Sequence, residues 1–335
     1  MGRLILRRLV FMVFVLWGVT LITFFLARVA PGDPARLIAG PHANAAALAN
    51  IRRIYGLDKP LTTQYVRYMT DLAHGNLGQS FVTRRSVVTD LADYFPGTVE
   101  LAVSALLVGS ILGLLVGVAS AMRRNSAVDV GGRFLAIAGL SMPAFWLAML
   151  FQLLFYSRLG WFPFGGRLAT GVVAPPHVTG LYTVDSLLAG QWSTFVDAVR
   201  HLVLPVATLS LAEIGLMARI VRTSMLEVLG EDYVRTARAK GLSGSRVLFR
   251  HSLRNALLPA VTVLGLEVGL LAGGVFLVET IFAWPGLGRY AYDAIRASDY
   301  NATMGVTLLI ALVYVGMNLL VDLVYLFLDP RIRYT

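Results

Sequence analysis

Six stretches of this chain run for about twenty residues or more with almost no charge: Leu9 to Val29, Val99 to Ala121, Phe134 to Ser157, Leu202 to Ile220, Leu257 to Phe282 and Thr303 to Leu328. A helix of roughly 20 mostly apolar residues crosses about 30 Å of hydrocarbon, so each can span a bilayer. The expected class is an all-α integral membrane protein with six transmembrane helices. Composition agrees, with 57% hydrophobic and only 14% charged residues. Arg3, Arg7 and Arg8 precede the first stretch as they would in a signal peptide. Its length, and the lack of a small-residue cleavage site before "ARVAPGDPAR", favour an uncleaved signal anchor.

The net charge of +10 reads as topology rather than as a nucleic-acid surface. With the N-terminus inside, the short inner segments carry sixteen Arg and Lys and the short outer loops five, namely Arg158, Arg167, Arg200, Arg289 and Arg296. The inside-positive rule then places both termini in the cytoplasm. Three regions follow: residues 1–29 as tail and first span, 30–98 as an extracytoplasmic cap, and 99–335 as the core, with a cytoplasmic loop at 221–256. In the cap, "LTTQYVRYMTDL" puts Leu61, Tyr65, Tyr68, Met69 and Leu72 on one helical face. Residues 158–200 form a second outer loop whose "WFPFGG" suits the headgroup layer.

Several chemistries are excluded. The absence of cysteine removes disulfides, thiolate nucleophiles and Cys-ligated zinc. His42, His74, His177, His201 and His251 are scattered without ligand spacing, so no metal or cofactor is expected. No G-x-x-x-x-G-K-[ST] loop occurs, so the chain does not itself cradle a nucleotide.

The basic loop between the fourth and fifth stretches is the most informative. Its sequence fits two short helices joined by "GLSG": Glu227, Glu231 and Asp232 suit a helix start, and Gly241 after Lys240 suits a helix end. Ala237 and Gly241, four apart, leave one face nearly bare for a partner. In the second helix Phe249, Leu253, Ala256 and Leu257 form an apolar stripe, with Arg246, Arg250 and Arg254 along another face. Gly241-Leu242-Ser243-Gly244 also matches the short G-x-S-G pattern of rhomboid-type intramembrane proteases. Ser243 lies in a basic loop, however, and no histidine occurs in the fifth or sixth stretch to activate it.

The stretch "SMLEVLGEDYVRTARAKGLSGSRVLFRHSLRNALLP" resembles the coupling loop of binding-protein-dependent ABC importer permeases, in the dipeptide, oligopeptide and nickel branch, B-type subunit. The resemblance extends through "APGDP", "YGLDKPLTTQYVRYM", "GNLGQSF", "GLSMPAFWLAML", "VETIFAWPGLGRYAYDAI" and "NLLVDLVYLFLDPRIR". It implies the type I ABC importer permease fold and a non-catalytic subunit working by alternating access. It further implies a homologous C-type second permease, two cytoplasmic ATPase subunits, an extracytoplasmic solute-binding protein, and peptides as cargo, with nickel or another small solute as the alternative. Carried over residue by residue, Glu231, Asp232, Tyr233, Thr236, Ala237, Lys240 and Gly241 would form the ATPase contact. One departure stands out, since Arg235, Thr236 and Ala237 occupy the positions of a family Glu-Ala-Ala triplet. A carboxylate role at position 235 is thereby lost.

Four acids lie within the apolar stretches: Glu213, Glu267, Glu279 and Asp322. An unpaired charge at the bilayer centre costs at least about 2.5–3.5 kcal/mol, so such groups should face a bundle interior or an aqueous path. Glu213 and Glu267 are the candidates for lining the route of a charged peptide; Glu279 and Asp322 suit structural pairing. "FAWPGLGRYAYDAI" predicts an outer turn at Pro285 and Gly286 followed by a short helix.

Overall fold

The computed structural model describes residues 2–29, 35–36 and 43–328. "APGDP", Arg331, Arg333 and the side chain of Asp322 lie outside the described residues. The elements are helical throughout. They run α1 (Gly2–Val29), α2 (Ala45–Tyr55), α3 (Leu61–Ala73), α4 (Val87–Met122), α5 (Ala127–Ser141) and α6 (Ala144–Phe151, continued as a π-helix over Gln152–Arg158). Then come α7 (Tyr182–Leu188), α8 (Trp192–Leu229) and α9 (Asp232–Ala239). A composite α10 passes from Gly244–Arg246 through a π segment, Val247–Ser252, to Leu253–Ala256. The chain ends in α11 (Leu258–Ile281), α12 (Leu287–Arg296) and α13 (Tyr300–Leu328).

The six expected spans map onto these helices with one correction. Among the described residues, α1, α4, α8 and α13 are long and apolar enough to cross a membrane. The third stretch is not one straight rod: α5 and α6 meet at a 105° bend and give a fifth crossing only if counted together. Pro143 causes the break. It donates no backbone N–H, and its ring drives Met142 out of the helical region to φ −91°, ψ 125°. The stretch at 257–282 is helical as α11 for 24 residues, but several of its side chains lie outside the described residues. Among the described residues the count of six is therefore not confirmed.

The chain forms two compact units, residues 1–96 with 286–335, and residues 97–285. In the first, α1 packs along α13, and α3 lays Tyr65 and Tyr68 against Phe24 of α1 at ring distances of 5.3 and 5.9 Å. The apolar face read from "LTTQYVRYMTDL" thus docks α3 on the C-terminal end of α1. Asp299, fully buried, accepts bonds from the Ser80 hydroxyl and the Phe81 amide at 2.6 and 2.7 Å. That carboxylate ties "GNLGQSF" to the start of α13.

In the second unit α8 is the central post, with α5, α6, α7 and α11 packed around it. Close approach rests on glycines that lie outside the motifs quoted above. A Cβ at Gly113 of α4 would lie 2.6 Å from Met217 Cβ, and one at Gly215 of α8 would lie 2.6 Å from the Ala136 carbonyl oxygen. Gly109, Gly113 and Gly117 recur every four residues, so α4 carries a small-residue seam along α8.

Arg167, expected only as an outer-loop charge, is buried. Its guanidinium donates to Glu100 Oε2 at 2.6 Å and to the Gly180 carbonyl at 2.7 Å, and lies 3.5 Å over the Tyr182 ring. The turn after α11 also differs from expectation. The left-handed residue is Ala283 (φ 47°), whereas Gly286 is extended. The Ala283 and Trp284 amides bond back to the carbonyls of Thr280 and Glu279, the paired pattern of a Schellman helix stop.

Candidate functional site

α8 ends at Leu229, and Gly230 and Glu231 turn the chain into α9. The stop of α9 explains the glycine. Leu242 N–H reaches the Ala237 carbonyl at 3.4 Å and Gly241 N–H the Arg238 carbonyl at 2.9 Å. This Schellman motif needs a left-handed residue between them, and Gly241 supplies it at φ 76°. Leu242 then closes onto Ala237, Val234 and Val247, a small core that Val228 and Leu229 join from the end of α8.

That core corrects one expectation. Ala237 is 7% exposed and faces inward, so the bare face inferred from Ala237 with Gly241 does not exist as such. The small side chain at 237 lets α9 sit close on α10. The outward surface is instead made by Glu231, Asp232, Tyr233, Thr236 and Lys240, all exposed, ending at Gly241, where an added Cβ would meet nothing within 4 Å. The structure thus brings six of the seven predicted contact residues onto one open edge.

Polar contacts make the hairpin stiff. Asn255 donates its side-chain amide to the Tyr233 hydroxyl at 2.9 Å, and that hydroxyl reaches the His251 carbonyl at 3.4 Å. Arg235, standing where the resemblance expects a glutamate, pairs locally with Asp232 at 3.3 Å. In α10, Ala256 is fully buried and packs with Val221 and Met225 of α8, with Leu253 and Leu257 beside it. Phe249 breaks from the expected stripe and is 65% exposed. The π segment accounts for this: its wider turn, marked by Ser252 Oγ bonding to the Val247 carbonyl five residues back at 3.2 Å, shifts the helical phase. Arg246, Arg250 and Arg254 remain exposed.

A second clamp lies beside the hairpin's root. Asp129, fully buried at the start of α5, receives the Arg222 guanidinium from α8 at 2.6 and 2.9 Å and the Asn125 amide at 3.0 Å. Arg222 counts in the sequence only as an inside charge. The available signal was an acid in the first turn of a mostly apolar helix, between Val128 and Val130, which needs a fork-shaped partner such as a guanidinium, and spacing alone does not announce which one.

Within the spans, Glu213 of α8 is buried, and its Oε1 has no hydrogen-bond partner. Its side chain lies over Gly109 of α4. Glu279 is fully buried and accepts from the Thr98 hydroxyl at 2.6 Å. Among the described residues no group of three acids or histidines is arranged to hold a metal ion.

Comparison with known proteins gives two family matches. The model described as "Binding-protein-dependent transport system inner membrane component" covers residues 95–334, and an N-terminal model of such membrane components covers 1–102. The chain is 48% identical to the Escherichia coli K12 protein named "Probable D,D-dipeptide transport system permease protein", over 96% of this chain and 94% of that one. It is 46% identical to a di/tripeptide transport system permease of Pseudomonas aeruginosa, over 98% of both chains. It is 42% identical to the dipeptide transport system permease of Escherichia coli K12, over 100% of this chain and 99% of that one.

Proposed function

We propose a role in peptide import on one premise: this chain belongs to the binding-protein-dependent transport system inner membrane components. It is a multi-pass, non-catalytic membrane subunit of an ABC transporter. Within that frame, the cargo is di- and oligopeptides, moved into the cytoplasm by alternating access. The relatives' transport names support this cargo. A C-type permease completes the pathway, two cytoplasmic ATPases supply closure, and an extracytoplasmic binding protein delivers the peptide. Both termini are cytoplasmic, residues 30–98 act as the extracytoplasmic cap, and residues 99–335 act as the permease core.

The observation that carries the proposal is the α9–α10 hairpin, an open polar edge built on a rigid internal core. A subunit without a nucleotide loop must receive work from outside, and a floppy loop would dissipate it. Glu231, Asp232, Tyr233, Thr236, Lys240 and Gly241 meet the ATPase. Ala237 serves the same contact from beneath, by holding α9 on α10. Glu213 and Glu267 line the path and meet the ammonium group of the passing peptide.

Co-purification tests the assembly. A second permease and ATPases should accompany the chain, with ATP hydrolysis stimulated by peptide-loaded binding protein. Gly241→Trp should abolish peptide uptake while leaving the complex in the membrane. A chain that purifies alone and moves peptides into liposomes without ATP would overturn the proposal.

A further inference from the structure

Two cavities lie side by side in the unit formed by residues 1–96 and 286–335. The first, of about 450 Å³, has Arg28, Lys59 and Arg67 on its wall against one carboxylate, Asp71, among the described residues. Four buried polar atoms on that wall have no hydrogen-bond partner: Arg28 Nε, Gln64 Oε1, and the hydroxyls of Tyr68 and Tyr300. Three of these groups are donors, and Tyr300 is only 9% exposed. Burial and the neighbouring Tyr65 push the Tyr68 hydroxyl up to about 12, so it keeps its proton. Buried donors left unpaired cost free energy that an anionic acceptor would recover.

The second cavity, of about 340 Å³, is apolar. Leu91 and Phe95 of α4 face Leu308, Leu309 and Leu312 of α13 across it. Leu77 stands in the wall of both cavities, and Met304 of the first is followed directly by Gly305 of the second. Along α13 the lining thus passes from Tyr300 and Asn301, polar and at the helix start, to leucines two turns further into the span. A cationic chamber beside a greasy groove along a membrane helix matches an amphiphile. It matches a hydrophilic peptide poorly.

We propose that these two cavities together hold one anionic phospholipid, its phosphate among Arg28, Lys59, Arg67, Tyr68 and Tyr300, and an acyl chain between α4 and α13. Basic groups near the membrane surface attract such headgroups, and the apolar groove selects a chain-bearing phosphate over a free one. Bound there, the lipid would pin the cap helix α3 to the outer ends of α1 and α13.

The test uses the intact transport complex extracted from membranes, with retained lipid counted by native mass spectrometry and affinity read in nanodiscs. The wild-type complex should keep phosphatidylglycerol in preference to phosphatidylcholine, a result that needs no variant to fold. Lys59→Gln with Arg67→Gln, both at exposed positions, should weaken phosphatidylglycerol binding by about fivefold per cation removed. Ala92→Trp, which fills the groove from an exposed position, should expel the diacyl lipid while leaving glycerol phosphate binding unchanged. Equal retention of the two lipids would overturn the proposal. So would displacement of the lipid by a dipeptide, or glycerol phosphate binding as tight as that of the lipid, since either would make this a site for a free small molecule.

Discussion

Replacing Arg167 by Met should be among the most damaging single changes in the 97–285 unit. The side chains of Arg167 and Glu100 are 5% and 3% exposed, and their guanidinium–carboxylate contact is 2.6 Å. Methionine keeps much of the volume but removes two charge-assisted bonds to Glu100, the bond to the Gly180 carbonyl and the stacking on Tyr182. Among the described residues Glu100 then keeps only the Thr183 amide and hydroxyl, at 2.8 and 2.7 Å, to stabilise a buried charge. Breaking a buried pair from one side costs about 3–5 kcal/mol. On the scale of a unit this size, at roughly 2–4 °C per kcal/mol, melting should fall by about 10 °C. Intrinsic tryptophan fluorescence during a heating ramp in detergent, backed by size-exclusion recovery, reads that shift. The diagnostic arm is the double variant Glu100→Gln/Arg167→Met. Without a stranded charge it should melt above Arg167→Met alone. If Arg167→Met melts within about 2 °C of the parent, or the double variant is the worse of the two, the burial argument is wrong.

Further expectations rest on other contacts. Ala283→Gly should raise the melting temperature modestly, by relieving roughly 1 kcal/mol of left-handed backbone strain in a Schellman stop. Gly241→Ala should cost about that much at the hairpin yet leave most uptake, because its Cβ meets nothing; a loss of uptake as severe as with Gly241→Trp would show that backbone conformation, and not access, limits coupling. Gly113→Leu should prevent α4 from seating on α8, seen as loss of monodisperse complex on extraction. Asp129→Asn should uncouple ATP hydrolysis from uptake more than it lowers complex yield, because it loosens α5 from the root of the hairpin.

Much of the architecture was legible because a bilayer leaves few options. Charge-free stretches of fixed minimum length announce helices, and the period of "LTTQYVRYMTDL" gave the face that α3 presents to Phe24. The bend at Met142–Pro143 was equally visible in principle. Proline is tolerated within long helices elsewhere in this chain, at Pro96 in α4 and Pro205 in α8. Only packing decides which prolines break a helix, so the third stretch does not announce its bend. The left-handed turn fell at Ala283, not at the Pro-Gly that follows, because the geometry of the helix stop fixed the site and alanine tolerated it.

The loop shows where reading by residue type fails. Small residues at 237 and 241 looked alike in sequence, and spacing suggested one shared bare face. Three dimensions separate them: one is a packing contact at C3 of a Schellman stop, the other its left-handed C′ residue. The arginines divide in the same way. Arg246, Arg250 and Arg254 stay exposed, whereas Arg222 grips the buried Asp129. This division has a mechanical consequence. A force applied at Tyr233 or Lys240 passes through Ala237 and Val247 to Leu229, and through Ala256 to Val221 and Met225, so it reaches α8 at two separated heights. A helix held at two heights tilts as a rod. The Arg222 clamp then obliges α5 to follow it, and Glu213 rides on the same rod. Motion of the hairpin is therefore coupled to the carboxylate proposed to meet the cargo, without any contact between the two.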